Sequence, residues 1–154
     1  MSELTIQIPE GFKVESFDAK TGRVTLAPKP LDPVGRLATF EEVCEEAGVN
    51  PGDYETDSSD PMTILLNQVN RAGLLSKVFN CGEELDAANT DQKKWFPVYE
   101  HSKSGFRFYY SIFTYSDALS VLGPLLGFKD ERTCDYVGRT FLQEYKKIHF
   151  PISK

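Results

Sequence analysis

The chain has 154 residues, of which 40% are hydrophobic, 26% charged and 12% aromatic. A globular chain of this length buries about 70% of the surface that its unfolded form exposes, so one hydrophobic core is sufficient without metal or disulfide cross-links. The composition excludes a disordered tail, a collagen-like fibre and a disulfide-rich scaffold. Three cysteines, an odd number, are typical of buried thiols in a reducing compartment, and the sequence therefore predicts a cytoplasmic protein.

The charge is distributed unevenly along the chain. An excess of acidic over basic residues gives a net charge of −6. Residues 1–60 contain 13 acidic and 5 basic residues, whereas residues 61–154 contain similar numbers of each. The acidic part is typical of a solvated helix face, with an acidic docking surface as the alternative. Binding to duplex DNA is disfavoured, because it depends on clustered Lys and Arg.

Residues 4–28 predict a β-hairpin. Short extended segments are separated by two turn sequences, one at residues 9–11 and one at residues 18–22. Three prolines then follow within residues 28–33, and they exclude a helix or the interior of a sheet. This segment is therefore predicted to be a stiff linker.

Residues 36–80 predict an acidic helical part. Thr39 followed by Glu42 is a capping box, in which the hydroxyl and the carboxylate each accept from backbone N–H groups at the start of a helix. A second helix is expected to begin at Asp60 and Pro61, because Asp favours the N-cap and Pro the first helical position.

Residues 95–150 contain 14 of the 19 aromatic residues. Aromatic side chains with a period of two predict a β-hairpin, and Pro97 indicates that its first strand lies at a sheet edge. The second strand is expected to place Phe106, Phe108, Tyr110 and Ile112 on one face and Arg107, Tyr109, Ser111 and Phe113 on the other.

Two further elements are predicted towards the C-terminus. Residues 125–128 are compatible with another short strand. Asp130 is expected to cap a single last helix. Its apolar stripe has helical spacing and comprises Cys134, Val137, Phe141, Tyr145 and Ile148.

The stretch from Phe108 to Phe128 has the length of a membrane span. Asp117 and Pro124 lie within it and exclude that interpretation, so no contact with a membrane is expected. The predicted fold is α+β: a single domain over residues 1–154, with a small antiparallel sheet packed against about three helices.

No catalytic, cofactor or metal-binding motif is found in the sequence, which predicts a protein that is not an enzyme and has no cofactor. Cys81 and His101 are the one Cys/His pair that could supply a thiol nucleophile and a base. Burial of the thiol and placement of the histidine in a turn is the favoured alternative.

The aromatic hairpin is the one feature with more aromatic side chains than ordinary core packing explains, and this favours a binding surface. The alternative is that Phe106, Phe108 and Tyr110 are buried against the last helix. The candidate binding residues are Trp95, Tyr99, Arg107 and Tyr109. They predict contact with a protein partner or self-association through the edge strand. The alternative is a single-stranded nucleic-acid binder, with bases stacked on Tyr109 or Trp95 and phosphates near Arg107, Lys93, Lys94 and Lys103.

Several short motifs, in order along most of the chain, resemble a family of small proteins from gut anaerobes, their prophages and mobile elements. The family has no assigned activity. The motifs are IPEGF at residues 8–12, RLATFEEVC at 36–44, WFP at 95–97, SGF at 104–106, GFK at 127–129 and YVGRTFLQEY at 136–145. The resemblance implies a phage-associated or accessory protein in the host cytoplasm, with association with a virion as an alternative.

Overall fold

The computed structural model of the protein describes residues 5–115 and 123–150. These residues form four α-helices and two antiparallel sheets of two strands each, which confirms the predicted α+β class. The chain divides into two compact units, Met1–Leu31 and Asp32–Lys154. The two predicted hairpins are separate sheets in the described residues, one in each unit. Among the described helices, none is both long and apolar enough to span a membrane.

The first unit is a hairpin of strands β1 (Phe12–Asp18) and β2 (Arg23–Pro28). The carboxylate of Asp18 closes its turn by accepting hydrogen bonds from the backbone N–H of Lys20 (2.9 Å) and the hydroxyl of Thr21 (2.7 Å). Short Asp side chains favour turns because they bond to the backbone a few residues ahead. All seven residues of β1 are exposed.

The second unit begins with the two predicted helices, α1 (Phe40–Ala47) and α2 (Pro61–Phe79). The capping box is present: the hydroxyl of Thr39 accepts from the backbone N–H of Glu42, whose carboxylate accepts from the backbone N–H of Thr39. The carboxylate of Asp60 caps α2 by accepting a hydrogen bond from the backbone N–H of Thr63, at 2.8 Å. Both helix starts therefore confirm what the sequence predicted.

The predicted last helix is in fact two helices, α3 (Glu131–Thr140) and α4 (Leu142–His149). The chain leaves helical geometry at Phe141, where φ is −100° and ψ is 31°. This break allows the ring of Phe141 to pack edge-on against Phe79, with 5.5 Å between ring centroids. The apolar stripe still lies inside, since Cys134, Val137, Phe141 and Tyr145 are buried and Ile148 packs against the core.

Arg71 on α2 connects three parts of the helical core. Its Nε and Nη2 donate to the carboxylate of Glu144 on α4, at 2.6 and 2.9 Å. Its Nη1 donates to the carbonyl oxygen of Tyr54, and its guanidinium lies 3.6 Å from the ring centroid of Phe40 on α1. A bidentate Arg–carboxylate pair fixes the relative orientation of the two side chains as well as their distance. The pair of Arg71 and Glu144 therefore aligns α2 with α4.

The aromatic hairpin consists of β3 (Lys94–Ser102) and β4 (Gly105–Thr114), joined by a two-residue turn. Its register is regular except at one point: Tyr99 pairs with Phe108, whereas Val98 pairs with Tyr110. Tyr109 is therefore the extra residue of a β-bulge.

The bulge changes which residues share a face. Paired residues of an antiparallel sheet lie on the same face, and adjacent residues of one strand lie on opposite faces. Since Tyr110 pairs with Val98 and Phe108 with Tyr99, Tyr110 lies on the face opposite to Phe108. The prediction that Phe106, Phe108, Tyr110 and Ile112 share a face is therefore wrong from Tyr110 onwards.

The segment after the hairpin also differs from prediction. Gly123–Leu126 is a 3₁₀ turn instead of part of a strand. Phe128 alone forms a bridge to Trp95, with each backbone N–H donating to the other residue's carbonyl oxygen at 2.9 and 2.8 Å. The outer edge of β3 is thereby covered at this point.

Candidate interaction surface

The inner face of the aromatic hairpin packs on α3. A Cβ atom built on Gly138 would lie 2.6 Å from the ring of Phe108 and 3.1 Å from Pro97, so only glycine allows this close approach. The guanidinium of Arg139 lies 4.5 Å from the ring centroid of Phe108. Ser111 donates to the carboxylate of Asp135 on α3 at 2.6 Å. Around Pro97, Phe108 and Ser111 this face therefore packs on the helix, which holds the hairpin in a fixed position.

Tyr99, one of the predicted binding residues, lies mostly in the interior. Its ring stacks on Phe106 (4.9 Å between centroids) and packs against Tyr145 on α4 (5.2 Å). Burial raises the pKa of Tyr99 well above its usual range. Its hydroxyl is buried and has no hydrogen-bond partner among the described residues. These contacts place Tyr99 in the packing between hairpin and helices.

Trp95 is half-buried at the other end of the hairpin. Its ring packs against Phe113 on β4, with 4.9 Å between centroids, and its backbone bonds to Phe128. Lys93 lies beside this pair, with its Nζ 4.6 Å from the ring centroid of Phe113 and 5.7 Å from that of Tyr115. Trp95 therefore supports exposed neighbours more than it presents a surface of its own.

Arg107 and Tyr109 are the two predicted residues that the structure leaves exposed. Arg107 forms an ion pair with Glu100 on the facing strand, so its charge is already compensated. Tyr109 is 58% exposed, and its ring meets that of Tyr110 edge-to-face at 4.9 Å. The structure brings Tyr109 together with residues that the sequence had placed in the core.

The exposed apolar side chains of β4 and the residue after it form what we call the β4 surface. These side chains lie next to the unpaired edge of β4, on both faces of the strand. Tyr110 and Ile112 are on the outer face, and Phe113 is on the inner face. Its members are Tyr109, Tyr110, Ile112, Phe113 and Tyr115, each more than two-fifths exposed. The sequence signals only Tyr109, because nothing in the run of apolar residues reveals where the bulge lies.

The lysines proposed for phosphate contact are not equivalent. Lys94 is buried, and its Nζ donates to the carbonyl oxygens of Asn89 and Gln92 at 2.8 and 3.1 Å. It therefore closes the loop before β3 and does not face a ligand. Lys93 and Lys103 are exposed.

Cys81 and His101 lie in different parts of the second unit. Cys81 follows the C-terminal end of α2 and has a φ of 55°, whereas His101 lies near the hairpin turn with its ring 5.0 Å from that of Phe150. No contact between the two is found in the described part of the chain, and no group of three or more His, Cys, Asp or Glu there could hold a metal ion.

A cleft of about 560 Å³ lies beside α2 and next to the 3₁₀ turn. Its walls include Val69, Leu85 and Leu126. Two of its polar side chains are engaged, since Ser76 and Asn80 both donate to the carbonyl oxygen of Gly127, at 2.6 and 3.0 Å. The cleft is also lined by Asn70, Lys77, Glu83 and Glu84, so it combines apolar walls with polar and charged side chains.

Comparison of the chain with models of protein families, with curated proteins and with solved structures finds no significant match.

Proposed function

We propose that the protein is a non-enzymatic interaction protein that contacts a protein partner through the β4 surface. The observation that carries the proposal is the cluster of exposed apolar side chains along a strand edge that no described strand covers. A partner strand added to this edge would be flanked on both sides by aromatic or aliphatic groups.

The size of the surface supports this proposal. A large aromatic side chain contributes about 200 Å², so five half-exposed side chains present roughly 400–500 Å² of mainly apolar surface. A patch of that size falls within the range of about 300–600 Å² that is typical of the largest patch on a monomeric protein, and such patches are often functional. Tyr is also enriched among residues that contribute most to protein–protein binding.

The rigidity of the hairpin is a second support. Gly138 lets α3 approach Phe108 closely, and Phe128 covers part of the outer edge of β3. A surface held in its bound conformation loses less conformational entropy on association. Packing on α3 therefore holds the free edge of β4 in one conformation for binding.

The strand β4 itself carries little charge, although the ammonium group of Lys93 lies over the rings of Phe113 and Tyr115. Arg107 is the one charged residue in β4, and its guanidinium pairs with Glu100. Charged residues are depleted at the centres of protein interfaces, whereas binding of nucleic acid requires free cations along a groove. Lys94 is buried and Arg107 is paired, so two of the four cations proposed for phosphate contact are not free. Contact with protein therefore has more support than contact with single-stranded nucleic acid.

The setting that we propose is phage-associated, in the host cytoplasm or on a virion. This part of the proposal relies on the family resemblance of the sequence motifs. We propose that such a protein would act through the β4 surface.

Site-specific photo-crosslinking in cells tests the proposal. A benzophenone amino acid at Tyr109 is expected to give a discrete protein adduct, identified by mass spectrometry. The same group at Leu66, an exposed apolar residue on α2, is the matched control and should give none. With the purified partner, Tyr109→Ala should weaken binding about 10- to 30-fold, the loss expected for an interface Tyr of about 1.4–2 kcal/mol. Equal crosslinking at both positions would contradict the proposal.

A further inference from the structure

We infer that the partner strand comes from a second copy of this chain, and that two β4 strands pair antiparallel about a two-fold axis at Ile112. The inference rests on the proposed function and names the occupant of the β4 surface. It would join the two hairpins into a four-stranded sheet with strand order β3, β4, β4, β3.

The backbone of the hairpin shows which groups of β4 are free to pair. In an antiparallel strand, the N–H and C=O of one residue point to the same side, and this side alternates along the strand. Both backbone groups of Trp95 bond to Phe128, so they point away from β4. The residue opposite Trp95 is Phe113, whose N–H and C=O therefore point to the free edge.

Ser111 presents its backbone groups to the same edge. It lies two residues before Phe113 and is opposite Pro97, which has no N–H to donate. Ser111 and Phe113 together expose two N–H donors and two C=O acceptors. Among the described strands, none pairs with them.

These two residues determine the pairing register. With the axis at Ile112, Ser111 of one copy exchanges both hydrogen bonds with Phe113 of the other, and the reciprocal pair gives four bonds in total. An axis at Ser111 would instead bring the bulge residue Tyr109 opposite Phe113, where the strand is irregular. An axis at Phe113 would pair Ser111 with Tyr115, which lies beyond the end of β4. The Ile112 register is therefore the one that pairs only regular positions within the strand.

The side chains around this axis are compatible with self-association. The two Ile112 side chains would face each other on the outer side, flanked by Tyr110 of each copy. The one charged residue of β4, Arg107, lies five positions from the axis and is paired with Glu100. No charged residue of β4 therefore lies at the axis, which is compatible with a two-fold interface.

The area predicts a weak dimer. Two β4 surfaces of roughly 400–500 Å² each would bury about 900 Å² in total, which is below the 1,200–2,000 Å² of stable complexes. Association is therefore expected to be concentration-dependent instead of permanent.

Sedimentation velocity from about 5 to 500 µM tests the association, a range that covers weak complexes. The sedimentation coefficient of the wild-type chain should rise from the monomer value towards that of a dimer. Ile112→Lys should weaken association at least tenfold, because two ammonium groups would meet at the axis. Leu66→Lys adds the same charge elsewhere on the unit and should associate like the wild type. A constant monomer value, or Ile112→Lys behaving like the wild type, would overturn the inference.

Disulfide formation tests the register independently of charge. Ile112→Cys should give a covalent dimer under mild oxidation, since facing residues at a non-hydrogen-bonded position bring their Cα atoms to about 4.5 Å, within disulfide range. Tyr110→Cys and the wild-type chain, which has three native thiols, should form much less covalent dimer under the same conditions. Crosslinking of Tyr110→Cys without that of Ile112→Cys would exclude this register.

The two proposals fail in different ways. A strictly monomeric chain whose Tyr109 still crosslinks to another protein would contradict the dimer and leave the interaction surface in place. A chain that neither associates nor crosslinks at Tyr109 would contradict both.

Discussion

The two hairpins of this protein, with strands of 7 and 6 residues and of 9 and 10 residues, have very different environments. Every residue of β1 is exposed, including Phe17 at 59%, whereas β3 has one buried and six half-buried residues among nine. The difference comes from α3 and α4, which pack on the inner face of the aromatic hairpin. A hairpin sequence thus predicts the pairing of its own strands, while the elements that pack on it decide which side chains become a surface.

The largest effect is expected where the aromatic hairpin meets α3. Gly138→Leu should lower the free energy of unfolding by about 3 kcal/mol, because its side chain would overlap the ring of Phe108. Urea denaturation measures this change. Gly73→Ala on α2 is the matched control, since a Cβ there lies in open space, and it should be stabilising by up to about 1 kcal/mol. A loss below about 0.5 kcal/mol for Gly138→Leu, within the range of a surface substitution, would show that this contact does not hold the hairpin.

A pair of Phe substitutions compares the hairpins directly. Phe108→Ala should cost about 2 kcal/mol, less than a fully buried Phe because the ring is half-buried. Phe17→Ala, at an exposed position of β1, should change stability by no more than about 0.5 kcal/mol. Thermal or urea unfolding of both variants is the measurement. Similar losses for the two would mean that the environments differ less than their exposure indicates.

The smallest expected effect is a pH dependence at the end of α4. Partial burial against Tyr99 and Phe106 lowers the pKa of His149 below its usual value of 6.5. The unfolded chain therefore binds this proton at higher pH than the folded one, and the stabilisation that is present above pH 6.5 is lost as the pH falls through the folded-state pKa.

Urea unfolding at several pH values between 7.5 and 5 checks this dependence. The decrease in stability towards low pH should be smaller in His149→Gln than in the wild type. Lys147→Gln, an exposed residue on the same helix, should keep the wild-type slope. An identical slope in His149→Gln and the wild type would assign the pH dependence to other groups.

Local signals account for the parts of the fold that the sequence predicted correctly. The capping box at Thr39, the N-cap at Asp60 and the turn at Asp18 each depend on a side chain bonding to backbone within three residues. Such interactions are encoded in a few consecutive positions. They form in the same way wherever the helix or turn is packed.

The parts that were missed depend on contacts between distant residues. The break at Phe141 accompanies packing on Phe79, sixty-two positions earlier, and the burial of Lys94 depends on two carbonyl groups of the preceding loop. The bulge at Tyr109 is decided by the register with β3. Of the predicted site, Tyr109 and Arg107 are exposed, whereas Tyr99 belongs to the packing.

The bulge gives the strand an unusual tolerance to change in length. Because Tyr99 pairs with Phe108 and Val98 with Tyr110, removal of Tyr109 would leave a regular hairpin in which every other side chain keeps its present face. A one-residue deletion in a strand ordinarily moves every later side chain of that strand to the opposite face of the sheet. At this position an insertion or deletion during evolution would add or remove a single aromatic ring from the surface while the packing on α3 is conserved.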